Sequence, residues 1–428
     1  MIQSLVRSPL FALVAAAIVI APAASAASPA APPPSADPGA AEIKAWTDAI
    51  DALRPLSQTL SPGSPTTDRR KAVADTNWIL MSSIAQYVVN YRDADPDYPQ
   101  FTPMLNTTFN SGAPVPDYIY QTAIIDGHGS YRLSGTRGTS RFVEFAIMDG
   151  LDGKRNSGDT VGRFSFDDIH VASDGSFSVI LSTQRPKDYA GDWIALDPRA
   201  STILVRHAAY DWKKEVDARL AIDRIDKPGR IDRPAERDVA GRLADLVQWT
   251  SYRVGQWRKY ILDQRAAGKI NLLKPVEFRG GVKGQIYLEG LFDIDADHAL
   301  LIETDVPKTC RYWSLLATDN DYATIDWLRH QSSLNGLQAR LDGDGRFRAV
   351  VSIRDPGVPN WIDTAGLAQG VLQMRWNWCS SEPTPMMTKV ALRDLPRLLP
   401  RDTPKVDAAA RAAALQDRRE GAQLRRRW

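Results

Sequence analysis

The chain is poor in the residues that make a reaction readable from sequence. Its 428 residues hold two cysteines and five histidines. Cys310 and Cys379 show no CxxC spacing, and His partners are sparse, so a structural metal knuckle is not expected. His128, His170, His207, His298 and His330 form neither HxH nor HExxH, so no local metal site is expected either. No Rossmann or Walker glycine pattern and no GxSxG elbow occurs, which argues against nucleotide cofactors and serine-hydrolase chemistry. Neither sign of charge is in large excess: 53 Lys+Arg against 51 Asp+Glu leaves +2. A nucleic-acid binder would carry a larger basic surplus. Past the first residues, no apolar run reaches the roughly 20 residues that a membrane-spanning helix needs.

What is present is ordinary for a folded protein: 43% hydrophobic and 24% charged residues. The length calls for two or three domains. Residues 1–26 read as an export leader. Arg7 supplies the positive end, Leu10–Ile20 the apolar core, and Ala24-Ser25-Ala26 the small-residue cleavage site. The expectation is a periplasmic or secreted protein. There, Cys310 and Cys379 read most simply as a disulfide. Residues 27–40 are a Pro/Ala linker. Residues 401–428 form a basic tail with eight Lys/Arg and four Asp/Glu. A solvated Ala/Arg helix is the plain reading, and contact with an anionic envelope surface the sharper one.

The most informative pattern is an internal repeat. Tyr120 and Tyr287 are 167 residues apart, Asp174-Gly175 and Asp344-Gly345 170, Trp193 and Trp361 168, and Arg206 and Arg375 169. Four blocks in one order at nearly one offset mark a duplication. Within each copy, short apolar or alternating runs end at Asp-Gly turns, as strands do. The expected fold is mainly β with flanking helices: two tandem jelly-roll-like β-sandwiches, over 96–230 and 271–400. Helices are expected over Thr66–Tyr91, within an N-terminal helical region 41–95. A linking helix with an aromatic stripe is expected over Pro234–Ala267, within 231–270.

In the second copy stand Glu303, Tyr312-Trp313, Ser333-Leu334-Asn335, Asp342-Gly343-Asp344-Gly345 and the block Arg354–Gly366 (RDPGVPNWIDTAG), followed by Arg375-Trp376. On these residues, over roughly 275–400, the chain resembles a DUF1214-type domain, from a bacterial family of largely unassigned function. The resemblance implies a jelly-roll-like fold, often paired with a second β-domain. It implies no reaction. The first copy keeps Asp192-Trp193 and Arg206 but lacks the DPGVPNW string, so the two copies are not equivalent.

The block 354–366 concentrates Pro, Gly, acids and a tryptophan, a composition for an unusual loop path. Arg354 offers a donor fork for an anion. Asp363 or Asp355, with His330, are the candidate acid/base groups. Asn360, Trp361, Trp313, Arg375 and Trp376 are candidate ligand contacts. The opposing reading is a structural lock, with Asn and Asp capping backbone, Trp packing and Arg354 paired. Two functions follow. One is an exported enzyme (lyase, isomerase or hydrolase) acting on a small organic or glycan-type substrate without nucleotide. The other is a non-catalytic ligand-binding or envelope-associated protein, possible as a homo-oligomer.

Overall fold

The computed structural model describes residues 39–150, 158–227, 238–278 and 280–425. The expected leader, most of the Pro/Ala linker and the start of the expected linking helix lie outside these residues. Three helices come first: α1 (Ala40–Leu53), α2 (Leu56–Leu60) and α3 (Arg69–Tyr91). The third begins later than its apolar spacing suggests, because the Asp68 carboxylate caps the Arg70 and Lys71 amides at 2.9 and 3.1 Å.

The first half then runs β1 (Thr102–Pro103), β2 (Tyr118–Ile124), β3 (Tyr131–Thr136), β4 (Phe142–Asp149), β5 (Asp159–Ser165), β6 (Ser176–Ser182), β7 (Asp192–Ala195), β8 (Ala200–Ala208) and β9 (Arg219–Arg224). Helix α4 (Val239–Ala266) follows, its start capped by Asp238 on the Gly241 amide at 2.8 Å. The second half runs β10 (Lys274–Val276), β11 (Gln285–Asp293), β12 (His298–Thr304), β13 (Cys310–Thr318), β14 (Ser333–Asn335), β15 (Phe347–Ser352), β16 (Trp361–Asp363), β17 (Gln369–Cys379) and β18 (Met386–Ala391). Helices α5 (Leu395–Leu398) and α6 (Ala408–Leu424) close the chain.

The duplication is written into the topology. The first half has sheets β1-β2-β8-β4-β5 and β7-β6-β3-β9. The second has β10-β11-β17-β13-β14 and β16-β15-β12-β18, the same order strand for strand. Each half even repeats the single parallel pair, β6 with β7 and β15 with β16. In each half both sheets feed one core. Phe145 and Val205 meet Leu133 and Val179 in the first, and Leu315 and Met374 meet Ile302 and Ala349 in the second. Each half is therefore a β-sandwich.

The larger sheet of each sandwich is buried on both faces. Along β17, Leu372, Met374 and Trp376 enter the sandwich core. The alternate residues Gln373, Arg375 and Asn377 are also buried, on the opposite face. That face packs on the matching face of the first sandwich, where Tyr118, Phe142 and Leu204 meet Tyr312 and Leu316. Helix α4 lies along the joint. Ile261 packs with Leu291 and Val371, and Trp249 with Tyr87 and Tyr91 of α3. Arg258 bonds Asp321 at 2.5 Å, Thr76 at 2.9 Å and the Leu60 carbonyl at 2.9 Å.

The solvated reading of the tail is corrected by α6. Three of its arginines point inward at heptad spacing: Arg411, Arg418 and Arg425 are 6%, 8% and 5% exposed. Arg411 grips Asp355 (2.9 and 3.2 Å) and the Val358 carbonyl (2.6 Å) of the second sandwich. Arg418 donates to the Trp327 carbonyl (2.8 Å) and to Ser333, and its guanidinium covers the Trp212 ring of the first. Arg425 reaches Asp217 (2.9 and 3.2 Å) in the first sandwich. The helix is a strut across both halves, and Arg411, Arg418 and Arg425 are spent on carbonyls, carboxylates and a hydroxyl rather than water, while Arg419 faces solvent.

Candidate functional site

The expected site residues do not converge. Asn360 is a backbone clip: its amide donates to the Arg340 and Arg348 carbonyls (2.6 and 2.8 Å) and accepts from the Arg340 amide (2.9 Å). Asp355 is held by Arg411 and by the Gly357 amide (2.8 Å). Arg354 is exposed, with Asp297 at 3.9 Å. Trp361 is buried and donates to the Ser352 carbonyl (3.1 Å). Trp313 and Trp376 pack 5.7 Å apart in the sandwich core. His330 and Asp363 do meet, Nδ1 to Oδ2 at 2.7 Å, while the other Asp363 oxygen caps the Ala365 amide. Cys310 and Cys379 are disulfide-bonded across β13 and β17. Asp342 and Asp344, at the Asp-Gly turn, are both engaged by Arg348. Of the expected residues, only Arg375 reaches a large cavity.

That cavity, of about 490 Å³, lies between the two sandwiches and is closed on one side by α4. Its floor repeats the duplication. Tyr120 on β2 stands opposite Arg206 on β8, and Tyr287 on β11 opposite Arg375 on β17. All four line the cavity. Arg375 is 4% exposed. Its guanidinium lies over the Tyr287 ring at 5.5 Å, and one nitrogen has a long contact (3.4 Å) to the Ala113 carbonyl. Its Nε and Nη1 have no hydrogen-bond partner among the described residues. Arg206 donates from Nη2 to the Gly280 carbonyl (2.6 Å), and its Nη1 has no partner among the described residues. Burial raises the Tyr118 and Tyr120 phenols, and both arginines pull them back. Both phenols therefore keep their protons at neutral pH: Tyr118 donates its own to Gln285 (3.0 Å), and the Tyr120 hydroxyl accepts from the Val115 amide (3.0 Å).

A second set borders the same space. Glu289 is 2% exposed, and burial pushes its carboxyl up. Tyr260 donates to it at 2.5 Å, Tyr322 donates to its other oxygen, and the Gln373 amide reaches both Glu289 (2.7 Å) and the Tyr322 hydroxyl (2.8 Å). Tyr260, Tyr322 and Gln373 line the cavity. Two lining residues, Ala113 and Tyr322, hold left-handed backbone (φ 51° and 62°), and the Ala113 amide bonds the Tyr322 carbonyl at 2.8 Å. Such strain costs on the order of 1 kcal/mol or more per residue and gathers at functional sites.

The family evidence falls on this wall. Residues 289–377, from Glu289 to the strand that carries Arg375, match the family described as "Protein of unknown function (DUF1214)". The second half of the chain carries a DUF1214 domain. The fold is shared more widely. A crystal structure of an uncharacterized protein from Burkholderia cenocepacia superposes with a TM-score of 0.76 at 26% identity, covering 83% of this chain and 99% of that one. The VPA0106 protein from Vibrio parahaemolyticus reaches 0.42 at 12% identity, covering 73% and 98%. An oxalate decarboxylase from Bacillus subtilis reaches 0.17 at 10% identity, covering 72% and 78%. The last two scores carry no argument here. No curated protein matches the chain.

Within the DUF1214 domain, the sequence reading placed function in the loop 354–366 and missed Glu289, Tyr287, Tyr322 and Gln373. From the first sandwich it missed Tyr118 and Tyr120. The available signal was the repeat itself. Tyr120/Tyr287 and Arg206/Arg375 are among its matched blocks.

Proposed function

We propose that this protein binds a small organic acid between its two sandwiches, with Arg375 as the principal anion contact, the tyrosines as walls and the Tyr120 hydroxyl as a neutral donor. One observation carries the reading: a guanidinium 4% exposed lines a 490 Å³ cavity with two nitrogens that find no partner among the described residues. Burying a charge with donors unmet costs several kcal/mol, and a carboxylate or similar anion offsets that cost directly. The apolar walls, among them Met104, Leu204 and Trp257, suit a hydrophobic or aromatic body.

The Glu289–Tyr322–Tyr260 set favours an enzyme over a passive binder. A carboxyl raised by burial, joined through Tyr322 to the cavity, can exchange a proton with a bound acid. The chemistry in view is of the lyase, isomerase or hydrolase kind and uses no nucleotide. We place the protein outside the cytoplasm on its leader-like first 26 residues, and the Cys310–Cys379 bond fits that compartment.

The test is isothermal titration of the purified protein with benzoate, alongside Arg375→Gln and Arg375→Lys. Binding to wild type, a loss of tenfold or more in Arg375→Gln (about one charge-assisted contact) and partial retention in Arg375→Lys are expected. Equal affinity in wild type and Arg375→Gln sinks the reading.

A further inference from the structure

We infer that the cavity is built for a dianion, one negative charge answered by each sandwich; the inference deepens the organic-acid reading and rests on it. The argument starts from the register. Tyr120 faces Arg206 across β2 and β8, and Tyr287 faces Arg375 across β11 and β17, so the duplication delivers one Tyr/Arg pair from each half. Both pairs line a single cavity. Both arginines keep a nitrogen without a partner, and neither forms an ion pair among the described residues.

The charges around the space agree. Among the described residues, the lining holds three cations, Arg206, Arg253 and Arg375, and one carboxylate, the exposed Glu277. Glu289 lies behind Gln373, and its oxygens are taken by Tyr260, Tyr322 and Gln373. Glu144, opposite Arg206 on β4, is engaged by Arg163 at 2.9 Å. A single carboxylate in the cavity leaves positive charge uncompensated in a low-dielectric space. A second negative charge removes that penalty.

The halves are not identical. Opposite Arg375 on β13 stands Ser314, where Arg206 has Glu144. Arg375 is thus the stronger anchor, and Arg206 the group that distinguishes a dianion from a monoanion.

The probes are benzoate, isophthalate and phenyl phosphate, which share an aromatic ring and differ in charge. Dissociation constants are measured by titration calorimetry on the full chain, on Arg206→Gln and on Arg206→Lys, with melting curves to establish folding. At least one dianion should bind wild type about tenfold or more tighter than benzoate. Arg206→Gln should erase that preference, and Arg206→Lys should keep most of it. Which dianion wins tells whether the two charges sit on two groups or on one. Equal affinities for all three probes in wild type, or a preference that survives Arg206→Gln, overturns the dianion inference and leaves organic-acid binding standing. Failure of all three to bind overturns both.

Discussion

Arg425 offers the sharpest test of how the two halves are held together. Its guanidinium and Asp217 are 4% and 2% exposed at the side chain, with contacts of 2.9 and 3.2 Å. It also donates to the Asp117 carbonyl (2.8 Å) and the His207 carbonyl (3.3 Å). At an effective dielectric near 20, two charges about 3 Å apart attract by about 5 kcal/mol, against which desolvation of both must be set. Removing Arg425 takes two charge-assisted contacts from a buried carboxylate, at a cost of about 3–5 kcal/mol. Loss of the donor to a buried carbonyl adds about 1 kcal/mol or more. Arg425→Ala should therefore lower the unfolding free energy by about 4 kcal/mol, read from urea unfolding followed by tryptophan fluorescence. The double variant Arg425→Met with Asp217→Leu should recover much of the loss, because neither charge is then buried alone. A loss of under about 1 kcal/mol in Arg425→Ala, or a double variant no better than the single, would falsify the strut argument.

Two further predictions follow from buried chemistry. Burial, with Asp321 nearby, pushes the Asp319 carboxyl up to about 7. Its folded pKa lies above the unfolded value near 3.9, so the native state holds a proton that the unfolded chain releases between about pH 4 and 7, and stability falls as pH rises through that window. Asp319→Asn keeps an acceptor for the Asp321 and Ala323 amides. It should gain stability relative to wild type between pH 5 and pH 8, and urea midpoints that track each other at both pH values count against the assignment. The Cys310–Cys379 bond spans 69 residues of sequence. Loop-closure entropy then gives it about 4 kcal/mol, so the paired Cys→Ser variant should unfold at clearly lower denaturant, with an unchanged midpoint as the contrary result.

Much of the architecture was legible because it rests on local signals. Asp-Gly turns punctuate strands, and a repeat at one offset requires one topology twice. The exact start of α3 was less legible: the apolar spacing reaches back to Thr66, and the Asp68 carboxylate fixes the first turn at Arg69 instead. The site was less legible for a physical reason. The pattern Leu-Gln-Met-Arg-Trp-Asn along 372–377 has the period of a strand with one wet face, and only tertiary packing buries that polar face against a second sandwich. The loop 354–366 was conspicuous because holding an irregular path takes Pro, Gly, Asn and Asp, and Asn360 and Asp355 use their polar atoms for that purpose. Likewise, charge counting cannot tell an exposed arginine from Arg411 or Arg418, whose partners lie some 55 to 90 residues away in sequence.

The matching strand order of the two halves has a consequence for how such a cavity can change. A chamber walled by two identical subunits must alter both walls with every mutation. Here each wall has its own codons. Glu144 and Ser314 occupy corresponding places opposite Arg206 and Arg375, yet they differ in charge. A residue in one wall can therefore change while its counterpart in the other stays as it is, so the two sides of the cavity can differ in charge and shape in a way that two identical subunits cannot.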